Sequence, residues 1–98
     1  MYIHLGQDIA VLRKDIIGIF DLDTSTNSKR TRDYLAAAEQ AGDVISITNE
    51  LPKTFIVCRS PDRKSGKIIY LSQISSATLL KRSWQLPRLE KAEDNQYI

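Results

Sequence analysis

The sequence predicts a single α+β domain with a small antiparallel sheet, one main helix and a short C-terminal helix. Short runs rich in β-branched residues alternate with helix-like segments in the order three strands, helix, three strands, helix. The chain has 98 residues, of which 42% are apolar and 27% charged, as is usual for a soluble globular protein. Two domains sharing this length would each lack a workable core. We therefore expect one domain over residues 1–86 and a flexible tail over residues 87–98.

Three predicted strands open the chain. They are short apolar runs at residues 2–5, 9–12 and 16–20. The three residues Arg13-Lys14-Asp15 separate the second run from the third, a spacing typical of a hairpin loop. Gly18 interrupts the third run, and a glycine inside a strand indicates a bulge or a close backbone approach.

The main helix is predicted over residues 29–40, a segment without Gly or Pro. The polar cluster from Thr24 to Ser28 supplies capping residues before it, and Gly42 stands where a C-terminal stop is expected. Its apolar positions follow one narrow face. That pattern is typical of a helix that lies on a sheet.

Three further strands and a second helix complete the predicted domain. The strand runs are residues 44–47, 54–58 and 67–71, and the helix covers residues 77–84. The loop between the last two strands contains Pro61 and Gly66, which are turn-forming residues. Polar residues 72–76 precede the second helix as caps, and Pro87 ends it. The residues after it are polar and aperiodic, hence the expected tail.

Cysteine content and hydropathy predict a cytoplasmic protein. The single cysteine, Cys58, has no intramolecular partner and ends an apolar run, so we expect a buried thiol. The N-terminal residues lack the basic and apolar regions of a signal peptide. The longest apolar runs are far shorter than the roughly 20 residues that span a bilayer. A reducing cytosol is the default compartment for such a chain.

The residue inventory argues against an enzyme. His4 is the only histidine and Cys58 the only thiol, and no metal-ligand spacing accompanies them. The four glycines form neither of the Gly-rich patterns that bind phosphates. We therefore expect no cofactor, no metal site and no small-molecule substrate.

Charge is distributed unevenly along the chain. Residues 1–52 carry a net charge of −3, residues 53–82 carry +6 and residues 83–98 carry −1. A central segment with this excess fits a polyanion, and solvated loop charge is the alternative interpretation. No aromatic residues interleave with the cations, which favours duplex backbone over stacked single strands. The candidate DNA-binding residues lie in loops next to strands: Arg13, Lys14 and Lys53, with Arg59, Arg63 and Lys64 as a second patch.

Several short motifs resemble one bacterial protein family. They are Tyr2-Ile3-His4-Leu5-Gly6, Asp15-Ile16-Ile17-Gly18-Ile19-Phe20-Asp21, Pro52-Lys53-Thr54-Phe55-Ile56-Val57, Ile69-Tyr70-Leu71-Ser72 and Ser75-Ser76-Ala77-Thr78-Leu79-Leu80-Lys81-Arg82. Together they span residues 1–82 and resemble the extracellular matrix regulatory family, in its RemB-like branch. The resemblance implies a small cytoplasmic regulator with a LytTR-like fold. For the RemA-like branch it implies a DNA-binding activator of biofilm matrix genes that assembles into a ring.

The residues that contact DNA in the RemA-like branch do not carry over cleanly. That branch uses one arginine before an early strand and an arginine pair in the loop after the main helix and its strand. Here Leu51-Pro52 occupy the place of the pair, with Lys53 beside them. Asp15 stands closest to the earlier place, and Arg13-Lys14 fall one or two positions away.

Two hypotheses about function therefore stay open. In the first, the protein binds the backbone of double-stranded DNA as a homo-oligomer and regulates extracellular matrix and biofilm genes. In the second, it is an oligomeric protein-interaction module that acts with another regulator and does not bind DNA.

Overall fold

The described part of the chain folds into three layers. The structure, a computed structural model, describes residues 1–25 and 27–84. A four-stranded sheet lies in the middle, with the main helix on one face and a β-hairpin plus the last helix on the other. The predicted α+β class is confirmed. The expected tail, residues 87–98, lies outside the described residues.

The strands and helices occur in the predicted order. They are β1 (Tyr2–Gly6), β2 (Ile9–Leu12), a 3-10 turn (Arg13–Asp15), β3 (Ile16–Asp21), α1 (Leu22–Ser25), α2 (Lys29–Gln40), β4 (Val44–Ser46), β5 (Thr54–Arg59), β6 (Lys67–Ser72) and α3 (Ser76–Trp84). Helix α1 is absent from the prediction, because a helix of four residues is too short to show a periodic pattern.

Strand β5 is the centre of the fold. Its residues Ile56 and Cys58 belong to the apolar cluster that packs against β1, β2 and α3. Its residues Phe55 and Val57 belong to the cluster on the side of α2. The strand order across the sheet is β3-β5-β6-β4, so β5 has a neighbour on each side and is antiparallel to both.

The sheet is mixed, whereas the sequence predicts an antiparallel one. Strand β4 pairs with β6 in the parallel direction, with Val44 opposite Ile69. The loop over residues 47–53 carries the chain from β4 across to β5, and the next turn brings it back as β6. Periodicity shows that a run is a strand but not which strand it pairs with, so this pairing is invisible in the sequence pattern.

The predicted hairpin between β2 and β3 is wrong. Strand β2 pairs with β1, whereas β3 pairs with β5. The three residues between β2 and β3 form the 3-10 turn, which carries the chain from one layer to the next. The hairpin turn of the outer layer is Gln7-Asp8, where Gln7 has a φ of 46° and its carbonyl accepts a hydrogen bond from the His4 ring.

The capping residues predicted for both helices are confirmed. The Ser28 hydroxyl accepts a hydrogen bond from the amide of Thr31 at 3.4 Å, at the start of α2. The Ser75 hydroxyl does the same for the amide of Thr78 at 3.2 Å, before α3. After α2, Gly42 adopts a φ of 78°, the left-handed conformation that commonly ends a helix and favours glycine.

Gly18 marks a bulge in β3, as the sequence predicts. The register against β5 shifts between Ile16 and Gly18, so Ile17 is the extra residue. A Cβ atom at position 18 would lie 2.5 Å from the Phe20 ring. That ring stacks on Phe55 with 4.9 Å between centroids. Glycine therefore leaves the space that the aromatic stack occupies.

Gly18→Ala is expected to lower the free energy of unfolding by about 1 kcal/mol, at the low end of the cost of overpacking, because the clashing Phe20 ring is part-exposed. The new methyl group displaces the Phe20 ring from its place on Phe55. Urea denaturation followed by circular dichroism measures the change. In a Phe20→Ala background the same substitution should cost much less, because the clashing ring is gone. An equal cost in both backgrounds would contradict this explanation.

Candidate nucleic-acid interface

The strand directions bring most of the predicted basic residues to one end of the four-stranded sheet. Strand β5 ends there, and strands β3, β4 and β6 begin there. The 3-10 turn precedes β3, and the loop over residues 60–66 joins β5 to β6. We call this group of cations the basic end: Arg13, Lys14, Arg59, Arg63, Lys64 and Lys67.

Lys53 lies at the opposite end of the sheet. It directly precedes β5, and its amide donates a hydrogen bond to the carbonyl of Ser72, the last residue of β6. The length of β5 separates it from Arg59, a distance of about 20 Å at the usual rise per strand residue. The structure therefore divides the first predicted patch. Arg13 and Lys14 join the second patch, and Lys53 stands apart.

An ion pair fastens the 3-10 turn to the end of β5. Arg59 Nε lies 3.5 Å from Asp15 Oδ1. This oxygen is buried and accepts no hydrogen bond, so the guanidinium is the positive charge that faces it. Asp15 thereby sets the position of the turn that carries Lys14.

Two further arginines join α3 to its neighbours, one to the 3-10 turn and one to β1. Arg13 Nε donates a hydrogen bond to the carbonyl of Ser83 at 2.8 Å. Arg82 Nη1 donates one to the carbonyl of His4, also at 2.8 Å. The Arg13 bond places a cation at the last turn of α3, where the helix dipole favours positive charge.

Arg63 ties the β5–β6 loop to the end of α2. Its Nη1 atom donates a hydrogen bond to the carbonyl of Gly42 at 2.8 Å and lies 3.2 Å from Asp43 Oδ1. The Ser65 hydroxyl donates to the other oxygen of Asp43 at 2.7 Å. The Ser65 hydrogen bond, followed by the bond and charge of Arg63, lowers the pKa of Asp43 below its ordinary value, against an opposing effect of burial.

The lysines of the basic end are exposed. Lys14, Lys64 and Lys67 all project into solvent, and the Lys67 ammonium lies 5.9 Å from the Tyr34 ring centroid. Among residues 1–25 and 27–84, no carboxylate forms an ion pair with Lys14 or Lys64. Exposed ammonium groups on turns of fixed backbone are suited to phosphate contacts. Lys67 is not among the predicted site residues. In the structure, the register of β5 and β6 places it opposite Arg59.

The thiol of Cys58 is buried, as the sequence predicts. Burial, assisted by the negative charge of Asp15, raises the pKa of this thiol to about 11. The sulfur is therefore protonated and weakly reactive near neutral pH.

The described ranges hold neither a cluster of metal ligands nor a membrane-spanning helix. Within residues 1–25 and 27–84, no group of three or more His, Cys, Asp or Glu side chains is arranged to hold a metal ion. No helix in this part of the chain is long and apolar enough to cross a membrane.

The fold and the basic end define a small α+β protein that displays cations at one end of a sheet. Residues 2–82 match the model of the RemA-like family, described as extracellular matrix regulatory protein A-like. The chain is 37% identical over 83 residues to extracellular matrix regulatory protein B of Bacillus subtilis, which covers 85% of this chain and 90% of that protein. The chain therefore belongs to the RemA-like extracellular matrix regulatory family, and its resemblance to the RemB-like branch is confirmed.

Asp43→Asn is expected to reduce the loss of stability on acidification. Because the pKa of Asp43 is lowered in the folded state, its carboxylate stabilises the fold at pH values above the unfolded-state pKa. That contribution is lost as the pH falls through the folded-state pKa. Urea denaturation at about pH 7 and about pH 3, on either side of the ordinary carboxylate pKa, measures the loss.

The asparagine variant should lose less stability between the two pH values than the wild type, and Ser65→Ala should lie between them. An identical pH-dependent loss in Asp43→Asn and the wild type would show that this carboxylate is not stabilised by its neighbours.

Proposed function

We propose that this protein is a DNA-binding transcriptional regulator of extracellular matrix and biofilm genes. It binds the phosphate backbone of double-stranded DNA as a homo-oligomer, with the LytTR-like fold and the ring form that the family resemblance implies. The observation that carries this function is the basic end, where exposed lysines stand on turns fixed by arginines. The family and the relative, both described as extracellular matrix regulatory proteins, support the regulatory role.

Most of the excess positive charge of the basic end comes from its lysines, and Arg13, which binds a neutral carbonyl, adds one further charge. Asp15 and Asp43 compensate the charges of Arg59 and Arg63, and the exposed Asp62 in the same loop subtracts one more. Lysines on separate turns therefore provide most of the net charge that faces an anion. Because this charge is small in one subunit, assembly of several subunits is needed to give useful avidity.

The chemistry of these groups predicts binding that is tolerant of sequence. A lysine ammonium is a compact, hydrated point charge. Specific recognition of base edges usually relies instead on groups that form two hydrogen bonds at once, such as the arginine guanidinium. Phosphate contacts position a protein on DNA without carrying sequence information directly. We therefore expect affinity that varies little between sequences and falls steeply with salt.

Lys14→Gln/Lys64→Gln should weaken binding to any duplex. Fluorescence anisotropy of a labelled duplex of about four helical turns, titrated with protein at several salt concentrations, measures the affinity and its salt dependence. Each lost phosphate contact lowers the slope of log affinity against log salt by about 0.9. The double variant should therefore lower it by up to about 1.8 for each subunit that contacts the duplex.

Lys29→Gln/Lys53→Gln is the matched control, because it removes the same formal charge from the start of α2 and from the opposite end of the sheet. Lys29 already pairs with Asp33 at 2.8 Å, so this variant should keep the wild-type slope. Lys53→Gln alone tests the opposite end of the sheet in the same assay. Equal losses in the two double variants, or no binding by folded wild-type protein at low salt, would contradict the proposed function.

A second candidate function is a protein-interaction module that acts with another regulator without binding DNA. Leu51 favours it, because this apolar side chain is 88% exposed in the loop beside Lys53. Co-purification from cells with and without nuclease separates the two functions. A partner retained after nuclease, together with no duplex binding in vitro, would favour the interaction module.

A further inference from the structure

An open groove lies between the start of α2 and strand β3, on the face of the sheet that α2 covers only in part. Its volume is about 380 Å³, toward the small end of the roughly 300–1,000 Å³ that is usual for ligand pockets. Phe55 and Val57 of β5 form the floor and are buried. We call this feature the α2–β3 groove. Its size suits a small molecule.

The walls of the α2–β3 groove are apolar and exposed. Ile17 and Phe20 line the β3 side, and Tyr34 lines the α2 side. These three side chains are 59%, 41% and 40% exposed. The Phe20 ring stacks on Phe55 with 4.9 Å between centroids, so wall and floor form one continuous apolar surface. A ligand with an apolar body would remove this surface from water, which is favourable.

Two cations line the same groove. Arg30 precedes Tyr34 by one helical turn and therefore lies on the same face of α2. The Lys67 ammonium lies 5.9 Å from the centroid of the Tyr34 ring, so both cations neighbour one aromatic side chain. Among the described residues, no carboxylate lines the groove, and none forms an ion pair with Arg30 or Lys67.

Two neighbouring grooves lack this combination. One shares Tyr34 and Lys67 with the α2–β3 groove but includes the carboxylate of Asp43, which would repel an anion. The other lies beside α3 and includes Arg13, whose guanidinium already donates to the carbonyl of Ser83. The α2–β3 groove is therefore the better site for an anion that carries an apolar group.

The side chains of the α2–β3 groove specify the chemistry of its ligand. The planar guanidinium of Arg30 matches the two oxygens of a carboxylate, and the Lys67 ammonium adds a point charge. An inorganic anion would gain nothing from the apolar floor. A neutral hydrocarbon would gain nothing from the cations. A carboxylate on a short apolar chain uses both.

We propose that the α2–β3 groove binds a small amphipathic carboxylate, with its head on Arg30 and Lys67 and its apolar chain over Phe55 and Val57. The ligand is bound and released unchanged, so it is an effector and not a substrate. The site goes beyond the proposed function and requires no DNA.

Isothermal titration calorimetry of the full chain with octanoate tests the site. Octanoate should bind saturably, with one molecule per subunit. Acetate has the anion without the chain, and 1-octanol has the chain without the anion, so both should bind much more weakly. Hexanoate is two methylenes shorter and should bind more weakly by up to about fourfold for each methylene.

Arg30→Gln/Lys67→Gln tests the two cations. Both side chains are exposed, so the variant should fold, as circular dichroism can verify. Its affinity for octanoate should fall about tenfold, the combined effect of two exposed ion pairs. Lys29→Gln/Lys53→Gln is the matched control. It removes the same formal charge from residues that do not line the groove, and it should bind octanoate like the wild type.

Lys67 connects the α2–β3 groove to the basic end, to which it also belongs. A carboxylate held by Lys67 compensates one of the cations that would meet phosphate. Saturating octanoate should therefore lower the slope of log duplex affinity against log salt by up to about 0.9 for each subunit that contacts the duplex. Acetate at the same concentration controls for ionic strength. This consequence rests on the proposed function, whereas the site itself does not.

The inference is overturned if octanoate shows no saturable binding, if 1-octanol binds as tightly as octanoate, or if the two double variants lose the same affinity. Octanoate binding by a protein that binds no duplex would overturn the proposed function alone. Duplex binding without octanoate binding would leave the proposed function standing and remove the groove as a ligand site. A salt slope unchanged by saturating octanoate would overturn the coupling through Lys67.

Discussion

The burial of β5 on both faces is the constraint on which the rest of the structure depends. All five residues Thr54–Cys58 are buried, and even the Thr54 hydroxyl is satisfied, by donation to the carbonyl of Ile74 at 2.7 Å. A strand buried on both faces needs a layer of structure on each. Helix α2 forms one layer, and β1, β2 and α3 form the other. This layering leaves β3 at an edge and gathers the strand ends that carry the cations.

Arginine and lysine have different roles at the basic end. The guanidinium groups of Arg13, Arg59 and Arg63 bind carbonyl or carboxylate oxygens of the protein itself, which suits a planar group with several directed donors. These contacts fix the turns that carry Lys14 and Lys64. A fixed turn loses less conformational entropy when its lysine meets a phosphate than a free loop would. The structural arginines therefore support the phosphate contacts that we propose for the lysines.

Much of the fold could be predicted from the sequence, because strands, helices, caps and bulges depend on residues that are close together in the chain. Apolar periodicity located the strands and helices, serines marked the caps, and Gly18 marked the bulge. The pairing of β4 with β6 and of β2 with β1 could not be predicted, since it depends on contacts between distant segments. The same limit applied to the candidate site. Nothing near Arg63 in the sequence indicates its contact with Asp43, twenty residues away.

Charge patterning found the cations but not their grouping in space. Lys53 and Arg59 are close in the sequence, yet they lie at opposite ends of β5. Arg13 and Lys14 are far from Arg59 in the sequence, yet Asp15 joins their turn to it. Strand direction decides which charges meet, and strand direction is a property of the whole sheet.

Hydrogen–deuterium exchange of the full chain, with and without a duplex, tests the central claim that the basic end is the surface that meets phosphate. We predict slower exchange of backbone amides in the 3-10 turn and in the loop over residues 60–66 when duplex is added. The amides of the loop over residues 47–53, beside Lys53, should exchange at an unchanged rate. Slowing confined to that opposite loop, or no slowing at any duplex concentration, would contradict the claim.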